Sequence, residues 1–155
     1  MDDSINKITE GETTMRYSLI ASAAFVALAA TGCNTMTKPK GETYTATLTA
    51  SQGVTTSGKG TGTFTYAAAT HMLTYTVKYE GLSGPAMAAH IHGPADPGGN
   101  APPVVPFPSA VSPITGTATL TDAQAADLKA GKYYVNVHTA ANKGGEIRGQ
   151  ITVKK

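Results

Sequence analysis

Apolar and polar residues alternate with a period of two through most of the chain after residue 43. In residues 44–50 every second side chain is apolar, and threonines fill most of the positions between them. Side chains of a strand point alternately to its two faces, so this pattern predicts a β-strand with one buried face. The same alternation predicts strands over 61–67, 71–79, 87–92, 114–120, 132–139 and 146–153.

The phase of the alternation also predicts which side chains are buried. The expected core positions are Leu48, Leu73, Val77, Ile91, Val135, Val137, Ile147 and Ile151. In the last strand we expect Val153 to face inward as well, and Glu146, Arg148 and Gln150 to face outward.

Two segments interrupt the strand pattern. Residues 121–131 predict one short helix, because Thr121 and Gln124 form a capping box and Gly131 supplies a C-terminal stop. Residues 93–108 are rich in glycine and proline, which excludes a central strand and predicts a long loop. With about seven or eight strands and one short helix, the chain is predicted to be all-β, a Greek-key sandwich or barrel.

Composition agrees with a turn-rich β protein and excludes one class of function. Among 155 residues, 14% are charged, 17 are glycine and nine are proline, which suits strands and turns better than a helical bundle. The formal net charge is only +2, and the lysines are dispersed without interleaved aromatic residues. We therefore expect no nucleic-acid partner.

The N-terminal third predicts export rather than fold. Arg16 precedes an apolar run over residues 19–30, which is short for a membrane span and typical of a secretory signal. Ala-Thr-Gly before Cys33 resembles the lipobox of bacterial lipoproteins, in which that cysteine is lipidated and becomes the mature N-terminus. The alternative is an ordinary signal peptide with an incidental cysteine.

These features predict three parts of the chain. Residues 1–32 would be an upstream extension and signal peptide with Met15 as the true start; residues 33–42 would be the lipidated cysteine and a tether; residues 43–155 would be the domain. The expected location is the cell envelope, with the membrane as partner through lipid on Cys33, on the periplasmic or outer-membrane face. Because Cys33 is the sole cysteine, no thiol remains for a disulfide.

Three histidines are the candidate chemistry. With Ile91 facing the core, His90 and His92 stand together on the outer face of one predicted strand, and His138 stands outward on another. Imidazole is a good ligand for copper and zinc, and three such ligands leave a position for water or substrate. The fourth histidine, His71, is expected at a surface or turn position away from this group.

Charged residues could flank such a site, and a purely structural explanation competes with it. Glu146 and Arg148 are candidates by face, and Asp96 is a candidate because it is the only acidic residue of the long loop; its alternative role is turn formation. In the structural explanation, the three histidines hydrogen-bond neighbouring strands and fix the loop. No catalytic residues are assigned.

Two stretches resemble the signatures of the CHRD domain, the module named after chordin. One is Ala89-His90-Ile91-His92-Gly93-Pro94-Ala95, followed by Val104-Val105 and Phe107; the other runs from Tyr133 to Thr139 and continues through Gly145-Glu146-Ile147-Arg148-Gly149-Gln150-Ile151. The resemblance covers about residues 41–155. The resemblance names a domain better than an activity and leaves the partner open. Together with the predicted lipid anchor, it leads us to expect a single-domain, envelope-anchored binding or structural module rather than an enzyme.

A weaker resemblance is to copper/zinc superoxide dismutases, which carry a His-x-His strand and a later strand ending in Val-His. It implies copper or zinc bound by His90, His92 and His138 on the outside of a Greek-key barrel. No histidine of the long loop could bridge two metals, and the internal disulfide of that family is absent. A periplasmic copper- or zinc-binding protein and, less strongly, a dismutase-like metalloenzyme are therefore the alternatives.

Overall fold

A computed structural model of the chain describes residues 41–155. The predicted signal peptide, the start at Met15 and the lipidation of Cys33 lie outside the described residues and stay predictions. The described part contains nine strands and one helix. They are β1 (Glu42–Ala50), β2 (Lys59–Ala67), β3 (Met72–Glu80), β4 (Ala86–His92), β5 (Pro103–Pro106), β6 (Ile114–Thr119), α1 (Asp122–Lys129), β7 (Tyr134–Thr139), β8 (Ile147–Gln150) and β9 (Thr152–Val153).

The strands form one nearly closed antiparallel sheet in the order β5-β4-β7-β8-β1-β2-β3-β6, with β9 paired to β1. The return of β8 to lie beside β1, ahead of β2 and β3, is the arrangement of a Greek key. The all-β, barrel-like fold with one short helix is therefore confirmed. Within residues 41–155, no helix has the length and apolar character needed to cross a membrane.

The interior of the barrel is apolar and continuous. All eight expected core positions are fully buried, at 0% exposure: Leu48, Leu73, Val77, Ile91, Val135, Val137, Ile147 and Ile151. Aromatic rings fill the remaining space, including Tyr75 and Phe107, whose centroids stack at 4.6 Å. Burial of these side chains is the main favourable contribution to folding, so the alternation seen in the sequence sets the sheet's inner face.

The predicted helix is confirmed together with its cap. The hydroxyl of Thr121 accepts a hydrogen bond from the backbone N–H of Gln124 at 3.2 Å, and the Gln124 side chain accepts one from the Thr121 N–H at 2.9 Å. Two otherwise unpaired backbone donors are thereby satisfied at the start of α1. Ala125 and Leu128 turn inward and join the core.

Two strand predictions need correction. The proline-rich segment contains β5, which is tolerated because it lies at the edge of the sheet, where a missing N–H costs no interstrand bond. The last predicted strand is divided at Ile151, whose N–H donates to the carbonyl of Tyr133 instead. Val153 lies opposite the buried Tyr44, on the predicted face, but the two-residue strand β9 leaves it 44% exposed.

Glu146 was expected to face outward, and this prediction is wrong. Its side chain is 0% exposed, because the residue precedes β8 and turns into a space between three loops. The carboxylate accepts hydrogen bonds of 2.6–2.7 Å from Thr56 Oγ1, from Ser83 N and Oγ, and from Thr139 Oγ1, and one of 3.2 Å from Asn142 Nδ2.

These donors explain how a buried carboxylate stays charged. Burial would raise the pKa of Glu146, but the hydrogen bonds from Ser83, Thr139 and Thr56 outweigh it and lower the pKa from 4.5 to about 2. Glu146 therefore connects the loops that precede β2 and β4 with the end of β7 and the turn that follows it.

Candidate metal centre

The three predicted histidines meet on the outside of the barrel. Antiparallel pairing sets His90 of β4 opposite Asn136 of β7, and Ala88 opposite His138. Directly opposed residues of an antiparallel pair project to the same face, so His90, His92 and His138 share one side of the sheet. The sequence-predicted convergence of the three rings is therefore present.

The spacing of the rings fits a single ion. One nitrogen from each histidine can be chosen so that all three lie within 4.8 Å of one another. His90 Nδ1 and His138 Nε2 are 3.3 Å apart. Two imidazole nitrogens bound tetrahedrally to one zinc ion are separated by about 3.3 Å, given a metal–nitrogen distance of about 2.0 Å. The separation of this pair thus needs almost no adjustment to bind an ion.

Backbone carbonyls fix two of the imidazoles. His92 Nδ1 lies 2.9 Å from the carbonyl oxygen of Ala101, and His138 Nδ1 lies 2.9 Å from that of Lys143. A carbonyl can only accept, so in each ring Nδ1 is the protonated nitrogen and Nε2 carries the lone pair. Within the described residues His92 Nε2 is buried without a hydrogen-bond partner. Metal-binding histidines are commonly oriented in this way.

Electrostatics keep two of the rings in the form that binds metal. Burial lowers the pKa of His90, and the neighbouring His138 and His92 lower it further. Burial also lowers the pKa of His92, partly opposed by its hydrogen bond to Ala101 and reinforced by His138 and Arg148. Both imidazoles are therefore neutral at neutral pH, as a metal ligand must be.

Two further side chains support His92, Tyr134 from β7 and Arg148 from β8. The ring of Tyr134 stacks on the His92 ring at 5.2 Å with an interplanar angle of 17°, and the Arg148 guanidinium lies 3.8 Å from the Tyr134 centroid. Arg148 also donates to Gly99 O at 2.7 Å and to Asn100 Oδ1 at 3.1 Å. Arg148 thus flanks the histidines as predicted by face. The role of Tyr134 was missed, although its outward position was predictable.

The other two predicted neighbours do not join the histidines. Asp96 is exposed and pairs with Lys132, and the carboxylate of Glu146 is bonded within the loop network described above. Among residues 41–155 the three-histidine group includes no carboxylate. His71 lies in the β2–β3 turn with a positive φ of 54°, near Tyr66, and outside this group as expected.

The turn between β7 and β8, residues 140–145, holds the carbonyl that faces His138. Asn136 donates from Nδ2 to Gly144 O at 3.0 Å, and a Cβ at Gly145 would fall 2.0 Å from Asn136 Oδ1. Gly145 also has a φ of +118°, which favours glycine. The close approach of the turn to Asn136 therefore depends on this glycine. The Gly-Gly pair before Glu146 was the available sequence signal.

One comparison with known proteins is informative. The family model described as the CHRD domain matches residues 44–151, a span that contains most of β1, all of β2 to β8 and the three clustered histidines. No curated protein and no solved structure matches the chain significantly. The weaker resemblance to copper/zinc superoxide dismutases thus stays a prediction.

Proposed function

The chain belongs to the CHRD domain family, and we propose that it is an envelope-anchored CHRD module that binds one copper or zinc ion. The family membership suggests a binding or structural module. The proposed ligands are His90, His92 and His138, and the proposed anchor is lipid on Cys33. Copper and zinc are the proposed ions because imidazole is a favourable ligand for both.

The observation that carries the metal proposal is the direction of the imidazole lone pairs. In His92 and His138 the Nδ1 proton is donated to a backbone carbonyl, so Nε2 carries the lone pair that can bind the ion. His138 Nε2 also lies within hydrogen-bond distance of His90 Nδ1, at 3.3 Å. A purely structural histidine normally uses both nitrogens or exposes one to water. His92 Nε2 does neither, since it is buried and without a partner among the described residues.

The three imidazole ligands also indicate the charge and the open coordination position that a bound ion would retain. Three neutral imidazoles leave the full positive charge on a divalent ion and one coordination position for water or another ligand. His90 and His138 are half-buried whereas His92 is 8% exposed, so this position would lie on the solvent side, beside His90 and His138. To bind a metal ion, the protein needs no ligand beyond these three imidazoles.

The anchor is supported by the N-terminal sequence. A positive residue, an apolar stretch and Ala-Thr-Gly-Cys occur in the order that lipoprotein export requires, and Asn34 to Glu42 is polar enough to act as a tether. The domain would then stand close to a membrane on the non-cytoplasmic side, where copper and zinc are encountered before they enter the cell.

Metal content and affinity test the metal proposal. The full-length protein, purified from the envelope fraction in detergent, should contain close to one equivalent of copper or zinc by elemental analysis. After removal of the ion with a chelator, titration with Cu(II) or Zn(II) at neutral pH should restore a single site. Replacement of His90, His92 or His138 by alanine should each abolish most of the affinity.

His71→Ala is the matched control, because it removes an imidazole that lies outside the group. It should bind as tightly as the wild type. No binding at neutral pH, or equal binding by His71→Ala and His92→Ala, would reject the metal site and return the three histidines to a structural role.

The anchor is tested separately. In Cys33→Ser, incorporation of labelled palmitate should be lost and the protein should leave the membrane fraction, while metal binding by the domain should be unchanged. Unaltered labelling and membrane fractionation in that variant would exclude lipidation at Cys33.

A further inference from the structure

We propose that Arg148 is a positioning residue for His92: it holds the loop after β4 so that the Ala101 carbonyl keeps the proton of His92 on Nδ1. The metal consequence of this inference rests on the proposed function. The effect on His92 itself concerns the protein without metal and can be measured independently.

Arg148 hydrogen-bonds two consecutive residues of the loop after β4, Gly99 and Asn100. From β8 its guanidinium donates to Gly99 O at 2.7 Å and to Asn100 Oδ1 at 3.1 Å, while its central carbon lies over the ring of Tyr134, 3.8 Å from the centroid. Two hydrogen bonds and one stacking contact leave the guanidinium a single orientation. Gly99 and Asn100 are thereby fixed to the outer face of the sheet.

The next residue of the loop, Ala101, carries the contact to the histidine. Its N–H donates to the hydroxyl of Tyr134 at 3.1 Å, and its carbonyl faces His92 Nδ1 at 2.9 Å. The same Tyr134 ring stacks on His92. Arg148 therefore acts on His92 along two routes, through the backbone of residues 99–101 and through the stacked tyrosine.

The shape of the guanidinium is necessary for this arrangement. Its planar fork can bond two acceptors and stack on an aromatic face at the same time, whereas the ammonium of lysine is a compact charge on a flexible stem. Lysine at position 148 would keep the positive charge but could not hold Gly99, Asn100 and Tyr134 together. This difference separates a geometric role from a purely electrostatic one.

The beginning of the same loop is held by other residues, which supplies a control. Lys132 pairs with Asp96, and Gln150 donates to Ala95 O at 3.1 Å. Lys132 is a cation that anchors the loop five residues before Ala101, and its ammonium forms no hydrogen bond with Tyr134 or His92. Lys132→Ala thus loosens the loop without removing the proposed positioning contacts.

Nitrogen NMR of the histidine side chains tests the inference directly. Full-length protein labelled with ¹⁵N at histidine, metal-free and in detergent micelles, gives long-range ¹H–¹⁵N spectra that distinguish the two neutral tautomers. In the wild type, His92 should be in the Nδ1–H form. In Arg148→Ala and Arg148→Lys the Nε2–H form should appear in at least comparable amount, whereas Lys132→Ala should keep the wild-type form.

Arg148 is only half-buried, so both variants should fold, and the signals of His71 provide the check that the fold is retained. An unchanged tautomer in both Arg148 variants would overturn the inference. A wild-type tautomer in Arg148→Lys alone would also overturn it, because charge would then suffice. An equal shift in Lys132→Ala would likewise overturn it, because any loosening of the loop would then have the same effect.

Metal titration then gives the functional consequence. Loss of a residue that orients a metal ligand typically weakens affinity roughly 10–100-fold. Arg148→Ala and Arg148→Lys should show a loss of that size for Cu(II) or Zn(II), and Lys132→Ala should not. If no metal binds to the wild type but the tautomer shifts as stated, the proposed function fails while the role of Arg148 stands.

Discussion

Two outer faces of the barrel are built by the same alternation but differ in what lies over them. We call the outer face of β1, β2, β3 and β6 the threonine wall, and that of β4, β7 and β8 the histidine wall. On the threonine wall, outward threonines of adjacent strands pair across the sheet in two rows: Thr43-Thr65-Thr74-Thr117 and Thr45-Thr63-Thr76-Thr115. None of these residues is buried.

On the histidine wall, outward residues are buried by the loop after β4 and, at Asn136, by the turn of residues 140–145. Tyr134, Asn136 and His92 are 2%, 5% and 8% exposed, although all three point away from the core. The loop reaches Tyr134 through Ala101 and Arg148 through Gly99. An outward side chain is therefore shielded from solvent only where a loop covers it. Strand phase alone does not distinguish the two walls.

The two walls are joined at one end of the barrel by Glu146. Its carboxylate accepts hydrogen bonds from Thr56, before the threonine-wall strand β2, and from Thr139, on the histidine-wall strand β7. The two walls thus share one buried charge, in addition to the pairing of β1 with β8.

The largest expected effect is that of removing this charge. Glu146→Ala leaves several buried donors without an acceptor, at about 1–3 kcal/mol for each unsatisfied group, so the free energy of unfolding should fall by about 4 kcal/mol in total. Urea unfolding measures the change. The control is Glu80→Ala, which removes an exposed carboxylate paired with Lys59 and should cost less than about 0.5 kcal/mol. Similar losses in both variants would disprove the tie between the walls.

A smaller effect on the same contact should follow from acidification of the wild type. Because folding lowers the pKa of Glu146 from 4.5 to about 2, its contribution to stability is present above pH 4.5 and is lost as pH falls toward 2. Glu146→Gln cannot titrate, so its stability should fall less steeply over this range. Parallel pH profiles of the two proteins would contradict the lowered pKa.

Comparison of single substitutions on the two faces of a strand gives a still smaller difference. Val137→Ala, at a fully buried position of β7, should lower the free energy of unfolding by roughly 2 kcal/mol, because it removes buried methyl groups and leaves a cavity. Thr74→Ala, at an exposed position on the threonine wall, should change it by less than about 0.5 kcal/mol. Equal effects in thermal unfolding would mean that the inner face is wrongly assigned.

The sequence predicted the barrel and the three clustered histidines because both follow from strand phase. Ile91 and Val137 had to face the core, and this choice alone turns His90 and His138 outward on strands that prove to be neighbours. The capping box of Thr121 was likewise readable, since it requires only local spacing.

Two features of the structure could not be predicted, because they depend on contacts between segments distant in sequence or on contacts made by main-chain atoms. The Ala101 carbonyl that faces His92 has no signature in the side chain of alanine. The burial of Glu146 requires Thr56 and Ser83, which lie 90 and 63 residues away in sequence. Alternation gave the wrong face for Glu146 because the residue lies at a bend directly before β8, where the two-residue period no longer applies.

The use of main-chain oxygens to orient His92 and His138 has a consequence for how the domain can diversify. Because the identity of the side chains at Ala101 and Lys143 does not enter these contacts, evolution can replace them without disturbing the imidazoles, provided the backbone path is kept. Lys143 is also exposed, so its side chain can be exchanged without removal of a buried contact. A designer could therefore vary position 143 and use the histidine wall as a fixed, spectroscopically visible support.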